Sequence, residues 1–183
     1  KKQHLHKIFD ETGFDSENLS IRETNRLATI INDKHNIEFV RMEMGIPNIP
    51  TPEIAKNAEK EAIDKGLQGF YPPFDGILEL KSAGRNFVKA FLDLDVENKH
   101  IIPTCGSLQG GYISQALAGN MHKDRKTILY LDPTFPVTRY QAKFLGLKAI
   151  GIDLYDYRGN KLIEEIKKHV ANGKIGGILW SSP

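Results

Sequence analysis

The chain has 183 residues, 40% apolar and 26% charged, and its 25 basic and 23 acidic side chains leave a formal net charge of +2. So even a balance offers no basic stripe for nucleic acid, no run of about 18 apolar residues is present to span a membrane, and the basic start Lys1-Lys2-Gln3-His4-Leu5-His6 lacks the apolar stretch of a signal peptide. The single cysteine, Cys105, excludes an internal disulfide framework and a cysteine-rich metal site; it suits a reducing, cytoplasmic setting and is expected to be a buried, inert thiol.

Residues 1–19 are polar, with little periodicity, and read as an extended arm. Ser20 and Glu23 make a capping box ahead of a helix with Leu27, Ile30 and Ile31 on its apolar side, ending at Asn32-Asp33-Lys34-His35-Asn36. Ile37 to Met44 reads as a short strand that runs into Gly45-Ile46-Pro47-Asn48-Ile49-Pro50. Pro47, Pro50 and Pro52 stiffen this stretch into a linker. The boundary therefore falls after residue 50, with 1–50 as arm and small-domain segment and 51–183 as the first part of a larger domain.

Thr51 is expected to cap the next helix, with Pro52 at its first position and Gly66 stopping it. Gly69-Phe70-Tyr71-Pro72-Pro73-Phe74-Asp75-Gly76 is an aromatic, proline-stiffened loop, after which Asp75 is placed to cap a helix burying Ile77, Leu80, Phe87, Val88 and Phe91. From residue 100 the pattern alternates. Apolar strands are expected at His100 to Thr104, Lys126 to Asp132, Leu147 to Leu154 and Ile175 to Trp180, with helices near 107–119, 136–145 and 160–171 and Gly119, Gly146 and Gly173 at their ends. That order predicts an α/β fold with a mainly parallel sheet flanked by helices.

The stretch richest in chemistry is Thr104-Cys105-Gly106-Ser107-Leu108-Gln109-Gly110-Gly111. A strand, a glycine turn and a helix start leave backbone N–H groups free to hold an anion, Ser107 can cap the helix, and Gly110 with Gly111 keeps its first turn slim. It is neither GxxxxGK[ST] nor GxGxxG, so a nucleotide P-loop and a dinucleotide fingerprint are both unsupported. Phe135 follows the next strand. In an open α/β sheet the carboxyl ends of neighbouring strands face one crevice, which puts a stacking ring beside the anion turn and suits a phosphorylated heteroaromatic cofactor. Lys123, Lys126 and Lys174 flank strands and read as solvated charges, and the six histidines are scattered, with no catalytic pairing.

Gly45-Ile46-Pro47 with Thr51-Pro52, Tyr71-Pro72-Pro73-Phe74-Asp75-Gly76, Thr104-Cys105-Gly106-Ser107, Asp132-Pro133-Thr134-Phe135 and Ser182-Pro183 together resemble the successive motifs of the class I/II aminotransferases, the pyridoxal-phosphate (PLP) enzymes of fold type I. The resemblance implies a three-layer large domain, incomplete here, and a PLP cofactor. Gly106, Ser107 and Leu108 would hold its phosphate, Phe135 would stack on its ring, and Tyr71 would cross a homodimer interface to the phosphate of the other subunit. Gly45 would lie beside the substrate carboxylate; its neighbour Ile46 stands where many members carry an acidic residue. The partners implied are an amino acid, a 2-oxo acid and a second copy of the chain. By the same resemblance, the lysine that bonds the cofactor, the asparagine and aspartate that contact its ring, and the arginine that binds substrate carboxylate lie beyond Pro183. The missing initiator methionine and the apolar run that stops at Pro183 read as a fold cut short, so the separated chain is expected to be inactive. A PLP-dependent lyase or decarboxylase and a non-catalytic PLP-binding regulatory module remain open on these motifs, with a simple nucleotide-binding domain the weaker rival.

Overall fold

A computed structural model describes residues 2–15, 19–47 and 49–182; Lys1, Asn48 and Pro183, which enter the sequence reading, lie outside these, as do residues 16–18. Contacts divide the chain into two units, Lys1–Phe70 and Tyr71–Pro183, and the proline-rich stretch 47–52 belongs to the first.

The first unit holds α1 (Lys2–Thr12), α2 (Ile21–His35) and α3 (Glu53–Asp64). The arm expected to be irregular is in part α1. A short amphipathic helix is marginal alone but forms when a neighbour covers its apolar side. Here Ile8, only 3% exposed, packs with Leu27 and Ile31 of α2, and Phe9, Phe14, Leu19 and Ile37 close around them. The capping box of α2 is present: the Glu23 N–H donates to Ser20 Oγ at 3.2 Å and the Ser20 N–H donates to the Glu23 carboxylate at 2.8 Å. The Ser20 hydroxyl and N–H hold the Glu23 carboxyl below its ordinary value. Ser20→Ala is expected to cost about 1 kcal/mol in a thermal melt. The carboxylate's share of this cap is complete above the ordinary value of 4.5 and is lost as pH falls through the lowered folded value, so the gap between wild type and Ser20→Ala should narrow in acid without closing, since the Glu23 N–H still donates to Ser20 Oγ.

Asn36 closes α2 in the left-handed region (φ 51°, ψ 42°). No strand follows over 37–44, because among the described residues no neighbouring strand pairs with it. Side chains tie it to α2 instead, Asn25 Nδ2 donating to Glu43 at 3.0 Å and Arg41 Nη2 donating to the Asn25 carbonyl at 3.0 Å. The third helix starts one residue later than the sequence implies: Pro52, not Thr51, occupies its cap position, without a side-chain bond.

In the second unit α4 (Leu78–Leu92) forms where expected, but its apolar side stays open: Phe91 is 73% exposed and stacks on Phe87 with ring centroids 4.4 Å apart. Lys81 is the buried residue of this helix. Its ammonium takes the Asp75 carboxylate, which therefore does not cap the helix, and by hydrogen bond and charge lowers that carboxyl's pKa.

The remainder alternates as α5 (Ser107–Asn120), β1 (Thr127–Asp132), α6 (Val137–Phe144), β2 (Lys148–Asp153), α7 (Asn160–Ala171) and β3 (Ile175–Trp180). The three strands pair in parallel in the order β2-β1-β3, with Ile128 level with Ala149 and Gly177. Central β1 carries the core: Ile128, Leu129 and Tyr130 are its largest fully buried side chains. Each contributes roughly 1.5–3 kcal/mol by burial. The strand expected at His100 to Thr104 is absent, because the run has no ladder partner among the described strands; Asn98–His100 is a 3₁₀ turn and Ile101 is extended but unpaired.

Two details fix how α5 lies on the sheet. Lys126 Nζ donates to the Gly119 carbonyl at 2.6 Å and to Asn120 Oδ1 at 3.0 Å, so it satisfies the end of α5 and is no merely solvated charge. Gly119 serves close packing, since a Cβ there would lie 2.3 Å from Leu147 Cδ2. With its carboxyl end at the start of β1, α5 runs back along the sheet and presents its amino end at the carboxyl edge of the strands.

Candidate functional site

The first turn of α5 is built by Gly106. Its φ of 80° and ψ of 167° are accessible to glycine and strained for other residues, and this glycine, rather than Ser107, is the cap residue. Ser107 is the first helical residue. The Gly106 N–H donates to the Thr104 carbonyl at 2.8 Å, and the Cys105 N–H to Gln109 Oε1 at 2.5 Å. The N–H groups of Ser107, Leu108 and Gln109 have no acceptor among the described residues. They are the orphan donors of a helix start, aimed into solvent and backed by the positive end of the dipole.

Cys105 is exposed, against expectation, because the strand that was to bury it does not form. A Cβ at Gly110 would meet Thr104 Oγ1 at 3.5 Å and one at Gly111 would meet Gln141 Oε1 at 3.7 Å, so within this chain neither glycine is required for close approach.

Phe135 follows β1 after a cis Asp132–Pro133 peptide. It is 45% exposed, and its carbonyl accepts the Thr138 N–H at 3.2 Å and the Thr138 hydroxyl at 2.7 Å, starting α6. Phe135 and the α5 turn thus both stand at the carboxyl edge of the sheet. They are connected through side chains that sequence reading missed. Gln141 Nε2 of α6 donates to the Leu108 carbonyl at 2.9 Å; Gln115 Nε2 donates to Gln141 Oε1 at 3.3 Å; and the Tyr130 hydroxyl donates to Gln115 Oε1 at 2.6 Å, with the Thr138 carbonyl 3.0 Å away. Burial pushes the Tyr130 phenol up, while the Arg139 guanidinium, 4.4 Å from the ring centre, acts the other way. Arg139 in turn pairs with Asp132. The signals present in the sequence were a tyrosine inside the apolar run 128–131, whose hydroxyl needs a partner, and Gln115 in the middle of the helix 107–120.

Tyr71 begins the second unit and is fully exposed. Its loop is held at two points, by Asp75 on Lys81 and by Gly76, where a Cβ would lie 2.6 Å from Pro103 Cγ; the aromatic loop therefore passes against the segment leading to Gly106. Gly45 lies in the first unit, exposed, beside a turn closed by the Ile46 N–H on the Met44 carbonyl at 2.8 Å. No described helix is long and apolar enough to cross a membrane, and no group of three or more His, Cys, Asp or Glu among the described residues is arranged to hold a metal ion.

The aspartate aminotransferase of Pyrococcus horikoshii is 30% identical over 137 residues, covering 72% of this chain and 34% of its own, and the aromatic-amino-acid aminotransferase 2 of Thermococcus litoralis is 30% identical over 171 residues, covering 92% and 43%. The chain is homologous to the PLP-dependent aminotransferases of fold type I. An archaeal alanine:glyoxylate aminotransferase shares the fold at a TM-score of 0.67 and 20% identity, over 89% of this chain and 41% of that one. No family model matches. The chain thus spans about a third to two fifths of the length of these aminotransferases and corresponds to part of their α/β large domain.

Proposed function

We propose that this chain is the cofactor-phosphate-binding part of a PLP-dependent aminotransferase that moves an amino group between an amino acid and a 2-oxo acid. The observation that carries the proposal is the set of free Ser107, Leu108 and Gln109 N–H groups on a glycine-capped helix start at the same sheet edge as Phe135. Three convergent N–H donors suit a phosphate, and a half-exposed phenyl ring beside them suits a flat heteroaromatic ring. The Ser107 hydroxyl, for which no bond competes among the described residues, adds a fourth donor. Leu108 offers only its backbone, with a side chain 43% exposed. Bound PLP supplies a protonated pyridine ring that draws electrons from the substrate Cα.

In this reading the chain's own residues bind and orient. The α5 turn anchors the phosphate, Phe135 sets the ring plane, Gly45 leaves backbone open to the substrate carboxylate, and Tyr71, fully exposed on a stiffened loop, reaches the phosphate of a second copy in a homodimer. Titration of the full-length protein with PLP, followed by equilibrium dialysis, tests the reading. Saturable binding that millimolar inorganic phosphate displaces is expected, together with amine transfer to a 2-oxo acid. Binding that phosphate leaves untouched would remove the α5 turn from the site.

A further inference from the structure

We propose that Gln141 is a positioning residue for the anion site, acting through the Leu108–Gln109 peptide group rather than by touching the ligand. The inference rests on the phosphate reading of the α5 turn and adds to it a residue that neither the motifs nor the comparisons assign. The Leu108 carbonyl belongs to the same peptide unit as the Gln109 N–H, one of the free donors. Gln141 Nε2 donates to that carbonyl at 2.9 Å from α6, beyond the helix's own ladder. A carbonyl that accepts such a bond polarises its peptide unit, so the N–H on the other side becomes a better donor.

The glutamine is itself held in one orientation. Its Oε1 accepts from Gln115 Nε2 at 3.3 Å, and that nitrogen also donates to the Gly111 carbonyl at 3.3 Å. Gln115 is 2% exposed, and its Oε1 accepts the Tyr130 hydroxyl at 2.6 Å from the fully buried centre of β1. Each amide therefore has its oxygen and nitrogen assigned by a partner, and a flip of either would set like poles against one another. The chain of bonds runs from the core strand through α5 and α6 to the rim of the anion turn. It also ties that turn to α6, the helix that Phe135 starts, and so fixes the distance between phosphate anchor and stacking ring.

The test compares PLP with pyridoxal, which has the ring but no phosphate, on the full-length protein. Gln141→Met keeps the size and loses the donor; Gln141→Glu keeps the acceptor for Gln115 but turns an oxygen towards the Leu108 carbonyl. Each is expected to weaken PLP about tenfold, Gln141→Glu more, while pyridoxal affinity stays within about twofold. A PLP-to-pyridoxal ratio unchanged from wild type overturns the inference, as does an equal loss for both, which would mark a merely structural role. A measurement free of substitutions guards against a variant that does not fold: in wild type, inorganic phosphate should move the Gln141 side-chain amide proton downfield, saturating together with the Gln109 backbone amide. A Gln141 signal that stays still while Gln109 moves overturns the inference and leaves the phosphate reading intact. If neither moves, the phosphate reading itself fails.

Discussion

Gly106→Val in the full-length protein is expected to lower PLP affinity about a hundredfold while shifting the thermal midpoint little. A Cβ at this position meets nothing within 4 Å, so overlap in the free protein is not the cause. The cost lies in the backbone: φ 80° with ψ 167° is a region in which a β-branched residue is strained by about 1–3 kcal/mol. An exposed turn does not hold that strain; it relaxes by rotating the flanking peptide groups. The Ser107 N–H is the first to turn away, and Leu108 and Gln109 follow as the helix start is redrawn. Lost anion binding with retained stability is the signature of this relaxation. Gly106→Ala should move the same way by less, because alanine tolerates positive φ better than valine. Titration of both variants with PLP and with inorganic phosphate checks this, and unchanged affinity in Gly106→Val would detach the turn from cofactor binding.

The parts of this fold that were legible in the sequence are those that local composition marks by itself. The strands Thr127–Asp132, Lys148–Asp153 and Ile175–Trp180 and the helices between them follow from apolar runs punctuated by Gly146 and Gly173, although β3 pairs with β1 and not with its chain neighbour β2. The capping box at Ser20 was readable because it spans a single turn. Elements that form or fail according to cover that local composition does not mark were not readable. Residues 37–44 and 100–104 have strand-like composition, yet a strand exists only with a ladder partner, and none among the described strands pairs with either. The first helix was hidden for the opposite reason: its apolar content is too slight to signal a helix until Leu27 and Ile31 cover Ile8.

The same logic divides the site. The order strand, glycine, helix pointed to Gly106, and the structure supplies the free donors that order implies. The supporting side chains escaped, because Gln115 and Gln141 are joined by geometry and neither belongs to a recognisable spacing. Asp75 was misassigned for a related reason. A carboxylate before a helix ordinarily caps it, but a buried ammonium three residues into that helix offers a stronger partner than a backbone N–H.

Gly176→Ala is expected to cost about 3 kcal/mol, at the upper end for overpacking, and to lower the thermal midpoint by roughly 6–12 °C for a chain of this size. A Cβ there would lie 2.4 Å from the Arg125 carbonyl oxygen and 2.7 Å from that of Ala118. Both are backbone atoms, and the second belongs to α5, so relief requires the helix to move off β3 rather than a side chain to rotate. The neighbouring Gly177 offers an internal control. Its Cβ would meet the Ala118 Cβ at 3.1 Å, a tight contact that a shift of a few tenths of an ångström relieves, and Gly177→Ala should cost less than half as much. Gly110→Ala should go the other way. Its Cβ meets Thr104 Oγ1 at an ordinary 3.5 Å, and alanine in place of a helical glycine gains about 0.5–1 kcal/mol. Because the α5 turn takes its position from the packing of this helix on the sheet, the stability order of Gly176→Ala and Gly177→Ala should reappear in their phosphate affinities. A Gly176→Ala protein that melts with wild type would mean that α5 is not seated on β3 as described, and the placement of the anion turn at the sheet edge would fall with it.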